Sequence, residues 1–161
     1  MRKVVFLDRD GVINKKASSG NYIRTWNEFH FMPDAANSIC NLNRLGYVVA
    51  VVTNQRGIAK GLMTLDDLQK IHTNMCIELK QYGAHIDYIY VCPHEIGECH
   101  CRKPDTGLLE QAERELGGID KQNSWLIGDS ASDIECGRKF GVKTIHVSNQ
   151  QEMIDSDSSA V

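Results

Sequence analysis

Two carboxylates, Asp8 and Asp10, stand in the run Asp8-Arg9-Asp10-Gly11, directly after the apolar stretch Val4-Val5-Phe6-Leu7. Residues two apart on an extended chain project to one side, so both acids can face a single ligand. Charge at the end of a buried strand is costly unless it has a partner. Paired acids in that position suit a cation or a phosphate group. Turn capping is the alternative for the same residues, because Asp and Gly are ordinary turn formers. A second acidic cluster, Gly128-Asp129-Ser130-Ala131-Ser132-Asp133, follows another apolar run, Trp125-Leu126-Ile127. Two strand ends carrying carboxylates point to one shared site. Ser130 with Asp133 also has the spacing of a helix capping box, which gives Asp133 a structural alternative.

A second group of chemistry-bearing residues lies in Cys92-Pro93-His94-Glu95-Ile96-Gly97-Glu98-Cys99-His100-Cys101. Cys92, His94, Cys99 and Cys101 supply four soft or borderline ligands, the set for a closed tetrahedral zinc site. Such a site leaves no position for substrate, so its expected role is structural. His100 is the rival nitrogen ligand, but both its neighbours are cysteines that can grip one ion together, so His94 is expected. The alternative is a loop of free thiols, which oxidation would threaten. Cys40, Cys76 and Cys136 are scattered through helical patterns and are expected to act as small buried hydrophobes. No apolar signal region follows Met1-Arg2-Lys3, and no run reaches membrane length. The expectation is a cytoplasmic protein with reduced thiols and no membrane contact.

The elements that must position these residues follow from hydrophobic periodicity. Apolar or β-branched runs place candidate strands near residues 3–8, 47–53, 86–92, 123–128 and 143–147. Helical spacing appears in 34–45 (Ala35, Ile39, Leu42, Leu45), in 65–82 (Leu68, Ile71, Met75, Leu79) and in 105–116 (Leu108, Leu109, Ala112, Leu116). A shorter helix is expected at 131–140. Thr64 with Asp67 has capping-box spacing, and Gly46, Gly83, Gly117 and Gly141 stand where helices need a left-handed last residue. The alternation gives an α/β class with a parallel sheet of about five strands flanked by helices. Residues 11–32 lack a helical pattern and suit a hairpin flap.

With 161 residues the chain is expected to form a single domain over 1–148, including the zinc loop at 92–104, followed by a weakly ordered tail at 149–161. A formal charge of −3 and a pI near 6.0 argue against a general nucleic-acid binder. In open α/β sheets, ligands gather beyond the carboxyl ends of the strands at the topological switch point. Asp8, Thr53 and Asp129 all occupy expected strand ends.

Four motifs in order, Asp8-Arg9-Asp10-Gly11-Val12, Thr53-Asn54-Gln55, Lys103 within Arg102-Lys103-Pro104, and Gly128-Asp129 with Asp133, resemble those of the haloacid dehalogenase superfamily of phosphatases. The resemblance spans nearly the whole chain. It implies a Rossmann-like core with Asp8 as nucleophile, Asp10 as general acid and then base, and Mg2+ between the strand ends. The chemistry is coherent in its own right: two unit charges at ~4 Å repel by about 4 kcal/mol even at an effective dielectric near 20, so an attacking carboxylate and a phosphate need added positive charge. The Asp8 carboxylate, the Asp10 carbonyl and Asp129 form a sensible partial Mg2+ shell, with Lys103 as a second cation. Thr53 would orient phosphoryl oxygens, and Asp133 would hold Lys103 or metal-bound water. Taken singly, Thr53 can merely end a strand and Lys103 can be a solvated surface charge.

The zinc loop narrows the resemblance to the small histidinol-phosphatase and heptose-bisphosphate phosphatase group, which similarly combines the catalytic core with a Cys-x-His and Cys-x-Cys zinc loop, and the chain has no room for a large cap domain. Short loops are then left to select substrate, namely the flap around Ser18 to Tyr22, the segment 56–61 and the zinc loop. Asn54, Gln55, Arg56, Lys60 and Arg102 are the expected contacts, with simple surface solvation the alternative for Arg56 and Lys60. Thr53-Asn54-Gln55 with Gly57-Ile58-Ala59-Lys60-Gly61 is similar to the members that remove the C7 phosphate of D-glycero-D-manno-heptose 1,7-bisphosphate. The shorter zinc loop also resembles histidinol-phosphate phosphatases. Ser130 stands where some heptose-bisphosphate relatives have a basic residue. The other readings are a nucleic-acid end phosphatase and a silent zinc-stabilised scaffold; the acidic balance weighs against the first and the complete acid and lysine set against the second. The expected partner is a small phosphorylated metabolite, and the expected state a monomer.

Overall fold

A computed structural model describes residues 1–148, so the tail expected at 149–161 lies outside the described residues. Strands β1 (Val4–Leu7), β2 (Val48–Asn54), β3 (Tyr88–Cys92), β4 (Trp125–Gly128) and β5 (Lys143–His146) alternate with helices α1 (Ala35–Arg44), α2 (Leu65–Gln81), α3 (Gly107–Leu116) and α4 (Ala131–Phe140). All strand pairs are parallel, in the order β3-β2-β1-β4-β5. Chain progression runs outward from β1 to β3, then jumps back across β1 to β4. The switch point therefore lies between the carboxyl ends of β1 and β4, next to Asp8 and Asp129.

Side-chain alternation divides the buried residues between two layers. Val4 and Phe6 of β1 face a core shared with Leu108, Leu109 and Ala112 of α3 and Cys136 and Phe140 of α4. Val5 and Leu7 face the opposite core, with Ile39 of α1 and Leu68, Ile71, Met75 and Leu79 of α2. A sheet covered on both faces explains why β1 and β2 read as unbroken apolar runs. Cys40 and Cys136 are buried as expected, whereas Cys76 is half-buried. Thr64 and Asp67 exchange the two capping-box bonds at 3.0 and 2.9 Å, and Gly46, Gly83, Gly117 and Gly141 all have positive φ.

The segment 11–32 departs from the hairpin expectation. Among the described residues its antiparallel pairing is a single bridge, Asn14 to Phe31, and Trp26–Glu28 form one short 3-10 turn. Ile13, Ile23 and Phe29 are drawn into the α1/α2 core instead. Trp26 stacks on Phe29 at 5.0 Å, and Phe29 meets Phe31 edge-on at 5.1 Å. The polar tip, Ala17-Ser18-Ser19-Gly20, has no cross-strand pairs to gain, so apolar burial decides the path. Among the described residues, the α/β layer is joined by no large cap, and no helix is long and apolar enough to cross a membrane.

Candidate active site

The end of β1 is tied to the end of β4 by the Asp8 N–H, which donates to the Ile127 carbonyl at 3.0 Å. Lys103 arrives from the loop between β3 and α3. Its Nζ donates to Asp8 Oδ1 at 3.0 Å, Asp133 Oδ1 at 2.6 Å and the Val52 carbonyl at 2.9 Å. The Asn54 amide holds the Lys103 backbone from both sides: Asn54 Nδ2 donates to its carbonyl at 3.2 Å, and Lys103 N–H donates to Asn54 Oδ1 at 3.1 Å. Asp133 Oδ2 accepts from the Ser130 N–H at 3.2 Å and its hydroxyl at 2.8 Å. Helix capping and Lys103 binding are thus both true of Asp133, one for each oxygen. A Cβ at Gly128 would overlap the Asp133 carboxylate, which is why the residue before Asp129 must be bare.

One ammonium serving two buried carboxylates leaves the cluster short of positive charge. Burial raises the Asp8 carboxyl to about 7, with Lys103 opposing and Asp133 and Asp10 adding to the rise. Burial acts in the same direction on Asp133, but Lys103, at the shorter distance, holds it below the ordinary carboxylate range. Burial alone would favour a neutral Lys103; the two carboxylates more than reverse that and keep it charged. Oxygens of Asp8, Asp129 and Asp133 lie within 4.8 Å of one another, and Asp129 Oδ1 is buried with no hydrogen-bond partner. Asp129 Oδ2 pairs with Lys16 Nζ at 2.6 Å. An all-oxygen, electron-rich pocket with an unsatisfied acceptor fits a hard divalent cation such as Mg2+.

Asp10 points to a different set of partners. Oδ1 accepts from Arg9 Nη2 at 2.7 Å, Arg9 Nε at 3.3 Å and Asn14 Nδ2 at 2.9 Å. Oδ2 accepts from Gln55 Nε2 at 2.9 Å, and the same amide donates to Thr53 Oγ1 at 2.9 Å. Burial opposes ionisation of Asp10, but the Arg9 guanidinium and the bonds from Asn14, Arg9 and Gln55 hold it below the ordinary carboxylate range. The two aspartates of one motif are therefore driven in opposite directions.

The residues expected to contact substrate divide into three groups. Asn54, Arg56 and Arg102 line one pocket of about 270 Å³ with Gly20, Asn21 and Tyr22. Gln55 is buried against Asp10 and Thr53. Lys60 lies over the Tyr22 ring at 5.6 Å. Arg56 Nε pairs with Glu95 Oε1 at 3.1 Å, and Arg102 has a buried Nη1 with no hydrogen-bond partner. A larger groove of about 680 Å³ runs between α2 and β3, but its lining contains no carboxylate and none of the residues above. Volume does not locate the chemistry here; the charged cluster does.

Sequence reading passed over Arg9, Asn14, Lys16 and His72, while Tyr22 falls in the flap expected to help select substrate. Strand alternation puts Arg9 opposite to its two aspartates, which suggests a solvated cation, yet it is 0 % exposed. Asn14 gave a usable signal, since four residues after an Asp is a common turn contact. Lys16 and His72 reach their partners only through the fold.

Cys92 ends β3, and its Sγ lies 3.4 Å from Cys99 Sγ, 3.0 Å from Cys101 Sγ and 3.6 Å from His94 Nδ1. Cys101 Sγ is 3.4 Å from both Cys99 Sγ and His94 Nδ1. His94, not His100, completes the cluster; the His100 carbonyl instead accepts from the Gly107 N–H. Four ligand atoms this close suit one ion at Zn–S and Zn–N distances of about 2.3 and 2.1 Å. A Cβ on Gly107 would overlap the backbone of His100 and Cys101, so this glycine lets α3 start hard against the loop.

Comparison with known proteins agrees with the geometry. The sequence profile of the polynucleotide kinase 3 phosphatase family matches residues 3–160. The chain belongs to this family, within the haloacid dehalogenase superfamily. A relative from Rhodopseudomonas palustris, named D-glycero-beta-D-manno-heptose-1,7-bisphosphate 7-phosphatase, is 35% identical across 99% of this chain and 95% of its own. One from Mycobacterium bovis, named for the alpha anomer of the same sugar, is 40% identical across 81% of this chain and 69% of its own. Among solved structures, the D,D-heptose 1,7-bisphosphate phosphatase from B. bronchiseptica, complexed with magnesium and phosphate, superposes with a TM-score of 0.86 at 30% identity, covering 96% of this chain and 86% of that one. This family member is thus a phosphatase with the five-stranded fold and, among the described residues, no large cap.

Proposed function

We propose that the protein removes the C7 phosphate of D-glycero-D-manno-heptose 1,7-bisphosphate through an aspartyl phosphate on Asp8. The observation that carries the reading is the division of labour between the aspartates: Asp8 sits against Lys103, while Asp10 is held apart by Arg9, Asn14 and Gln55. The names of the relatives supply the substrate. Asp8 Oδ attacks phosphorus, the bond to the C7 oxygen breaks, and Asp10 delivers a proton to the departing alkoxide. A monoanionic phosphate monoester, whose second pKa lies near 6, can bring that proton to the ionised Asp10. Asp10 then takes a proton from water as the water attacks the intermediate, releasing phosphate and restoring Asp8. Thr53 orients phosphoryl oxygens, and Lys103 offsets their charge. Asp8, the Asp10 carbonyl and Asp129 would hold Mg2+, with Asp133 behind them; when bound, the ion neutralises charge on the nucleophile and the phosphoryl group.

The pocket of Tyr22, Asn54, Arg56 and Arg102 is the reading's site for the second phosphate of the substrate, with Lys60 at its rim. Arg102→Ala is expected to raise the KM for a heptose bisphosphate about tenfold while leaving a heptose 7-monophosphate within about twofold, the loss of one charge-assisted hydrogen bond. Equal effects on both would remove Arg102 from that role. The functional test is Mg2+-dependent phosphate release from both anomers of heptose 1,7-bisphosphate and from histidinol phosphate at matched concentrations. Preference for a heptose bisphosphate supports the reading and assigns the anomer; preference for histidinol phosphate replaces the substrate and keeps the mechanism.

Cys92, His94, Cys99 and Cys101 would hold zinc as a structural ion that sets the approach to Arg102 and Lys103. Zinc chelation is expected to lower the unfolding midpoint and expose the 92–104 loop to protease, whereas Mg2+ removal abolishes activity reversibly, costs less stability and leaves the loop protected. Equal destabilisation by either treatment would overturn the division between the two metals. Three thiols kept as ligands require a reducing compartment, which favours the cytoplasm. A net charge of −3 favours a small phosphorylated metabolite over nucleic acid, and we take the active form to be a monomer.

A further inference from the structure

We infer that His72, on α2, is a positioning residue that holds the Asp10 carboxyl in place through Arg9. The inference rests on the assignment of Asp10 as the general acid, and it gives a task to a buried side chain that makes no contact with the reacting groups. His72 is 7 % exposed on a helix face otherwise occupied by Leu68, Ile71, Met75 and Leu79. An aliphatic residue would satisfy that face at lower cost, because a buried polar ring must find a partner.

The partner is Arg9, whose guanidinium is fully buried and permanently charged. Nη2 and Nε of Arg9 converge on Asp10 Oδ1, at 2.7 and 3.3 Å, while Nη1 meets His72 Nε2 at 3.2 Å. The guanidinium carbon lies 5.7 Å from the centroid of the Phe29 ring. Guanidinium nitrogens only donate, so His72 Nε2 must be the unprotonated, accepting nitrogen. Burial, and after it the charge of Arg9, push the His72 ring down to about 3, which keeps it neutral wherever the enzyme would work. The fork of Arg9 is planar, so fixing one end at His72 fixes the other end at Asp10.

Asp10 is thereby held from three parts of the fold: α2 through His72 and Arg9, the flap through Asn14, and the end of β2 through Gln55. A general acid misplaced by a fraction of an ångström loses efficiency even when its charge is unchanged. Losing the His72 acceptor frees Arg9 to rotate, and Asp10 with it, without touching the nucleophile or the phosphate pocket.

The test separates proton delivery from everything else by the choice of leaving group. An alkoxide needs the proton as the bond breaks, whereas p-nitrophenolate leaves without it. First-turnover rates are measured by rapid quench for His72→Leu, His72→Gln and the wild type. The esters are p-nitrophenyl phosphate and whichever of heptose 1,7-bisphosphate and histidinol phosphate the wild type prefers. His72→Leu is expected to slow the alkyl ester about tenfold, with half-saturation and the aryl ester within about twofold, a part of the range open to general acids. His72→Gln, which restores an acceptor, recovers most of the alkyl rate. Should His72→Leu fail to fold, Arg9→Lys, which keeps the charge and loses the fork, is subjected to the same comparison. Equal losses on both esters, or no loss on either, overturn the inference while leaving the phosphatase reading intact. A wild type that releases phosphate from neither ester sinks that reading and this inference with it.

Discussion

Asp8→Asn is expected to reduce phosphate release by on the order of 10⁵-fold, as removal of a covalent nucleophile does in other enzymes. The zinc content and fold should survive, because the asparagine oxygen can still accept from Lys103 Nζ. Stability supplies an independent signature. The folded Asp8 carboxyl titrates near 7 rather than at its ordinary 3.8, so in Mg2+-free protein the folded state binds more protons than the unfolded state between those values. Wild-type stability therefore falls as pH rises through that window, by up to about 1.4 kcal/mol per pH unit, and Asp8→Asn lacks this loss. Urea unfolding of wild type and variant at pH 5 and pH 8, in protein dialysed free of Mg2+ with its zinc retained, measures the difference. A variant that kept full turnover would remove Asp8 as nucleophile, and an unchanged pH dependence would remove the charge deficit.

Lys103→Met is the second large effect and acts in the opposite sense on stability. Removing the ammonium strands Asp8 and Asp133, which share it at 3.0 and 2.6 Å, as uncompensated buried anions. Breaking a buried pair in this way costs about 3–5 kcal/mol. The loss should be deepest at pH 8 and relieved toward pH 5, because without the lysine either carboxyl can take up a proton and cease to be charged. Phosphate release should fall about 10²- to 10³-fold, the usual effect of deleting one preorganised charge stabiliser. A destabilisation equal at both pH values would show that packing of the lysine stem, not its charge, is what the site needs.

The same residues show what a linear reading can reach. Asp133 has capping-box spacing and also completes the family motif, and both readings hold because a carboxylate has two oxygens to divide between Ser130 and Lys103. The Cys/His cluster was legible because its four residues fall within 92–101, where chain connectivity alone keeps them close. Asn54 and Gln55 are expected from sequence as substrate contacts, whereas in the fold their amides hold Lys103 and Asp10, a task that depends on where β2 ends relative to two other segments. The flap misled in shape: the apolar pairs Val12-Ile13 and Tyr22-Ile23 flank the tip Ala17-Ser18-Ser19-Gly20 as in a hairpin, yet burying Ile13, Ile23 and Phe29 outweighs pairing the strands. The burial of Arg9 was not legible, since no local pattern announces a fully enclosed guanidinium.

The sequence by itself determined the βα alternation and the placing of acids at strand ends, because periodicity and the polarity step after an apolar run are local properties. It also determined the two ligand chemistries, all-oxygen and thiol-imidazole, which are inherent in residue type. Tertiary structure decided the pairing. Asp8 and Lys103 are 95 residues apart, Lys103 and Asp133 30, and Arg9 and His72 63. These contacts exist because the strand order β3-β2-β1-β4-β5 brings the ends of β1, β2 and β4 together and lays α2 against the core side of β1. A hydrogen bond of about 3 Å is a short-range interaction that leaves no periodic trace in the chain, so which oxygen serves which donor is settled only when the sheet has assembled.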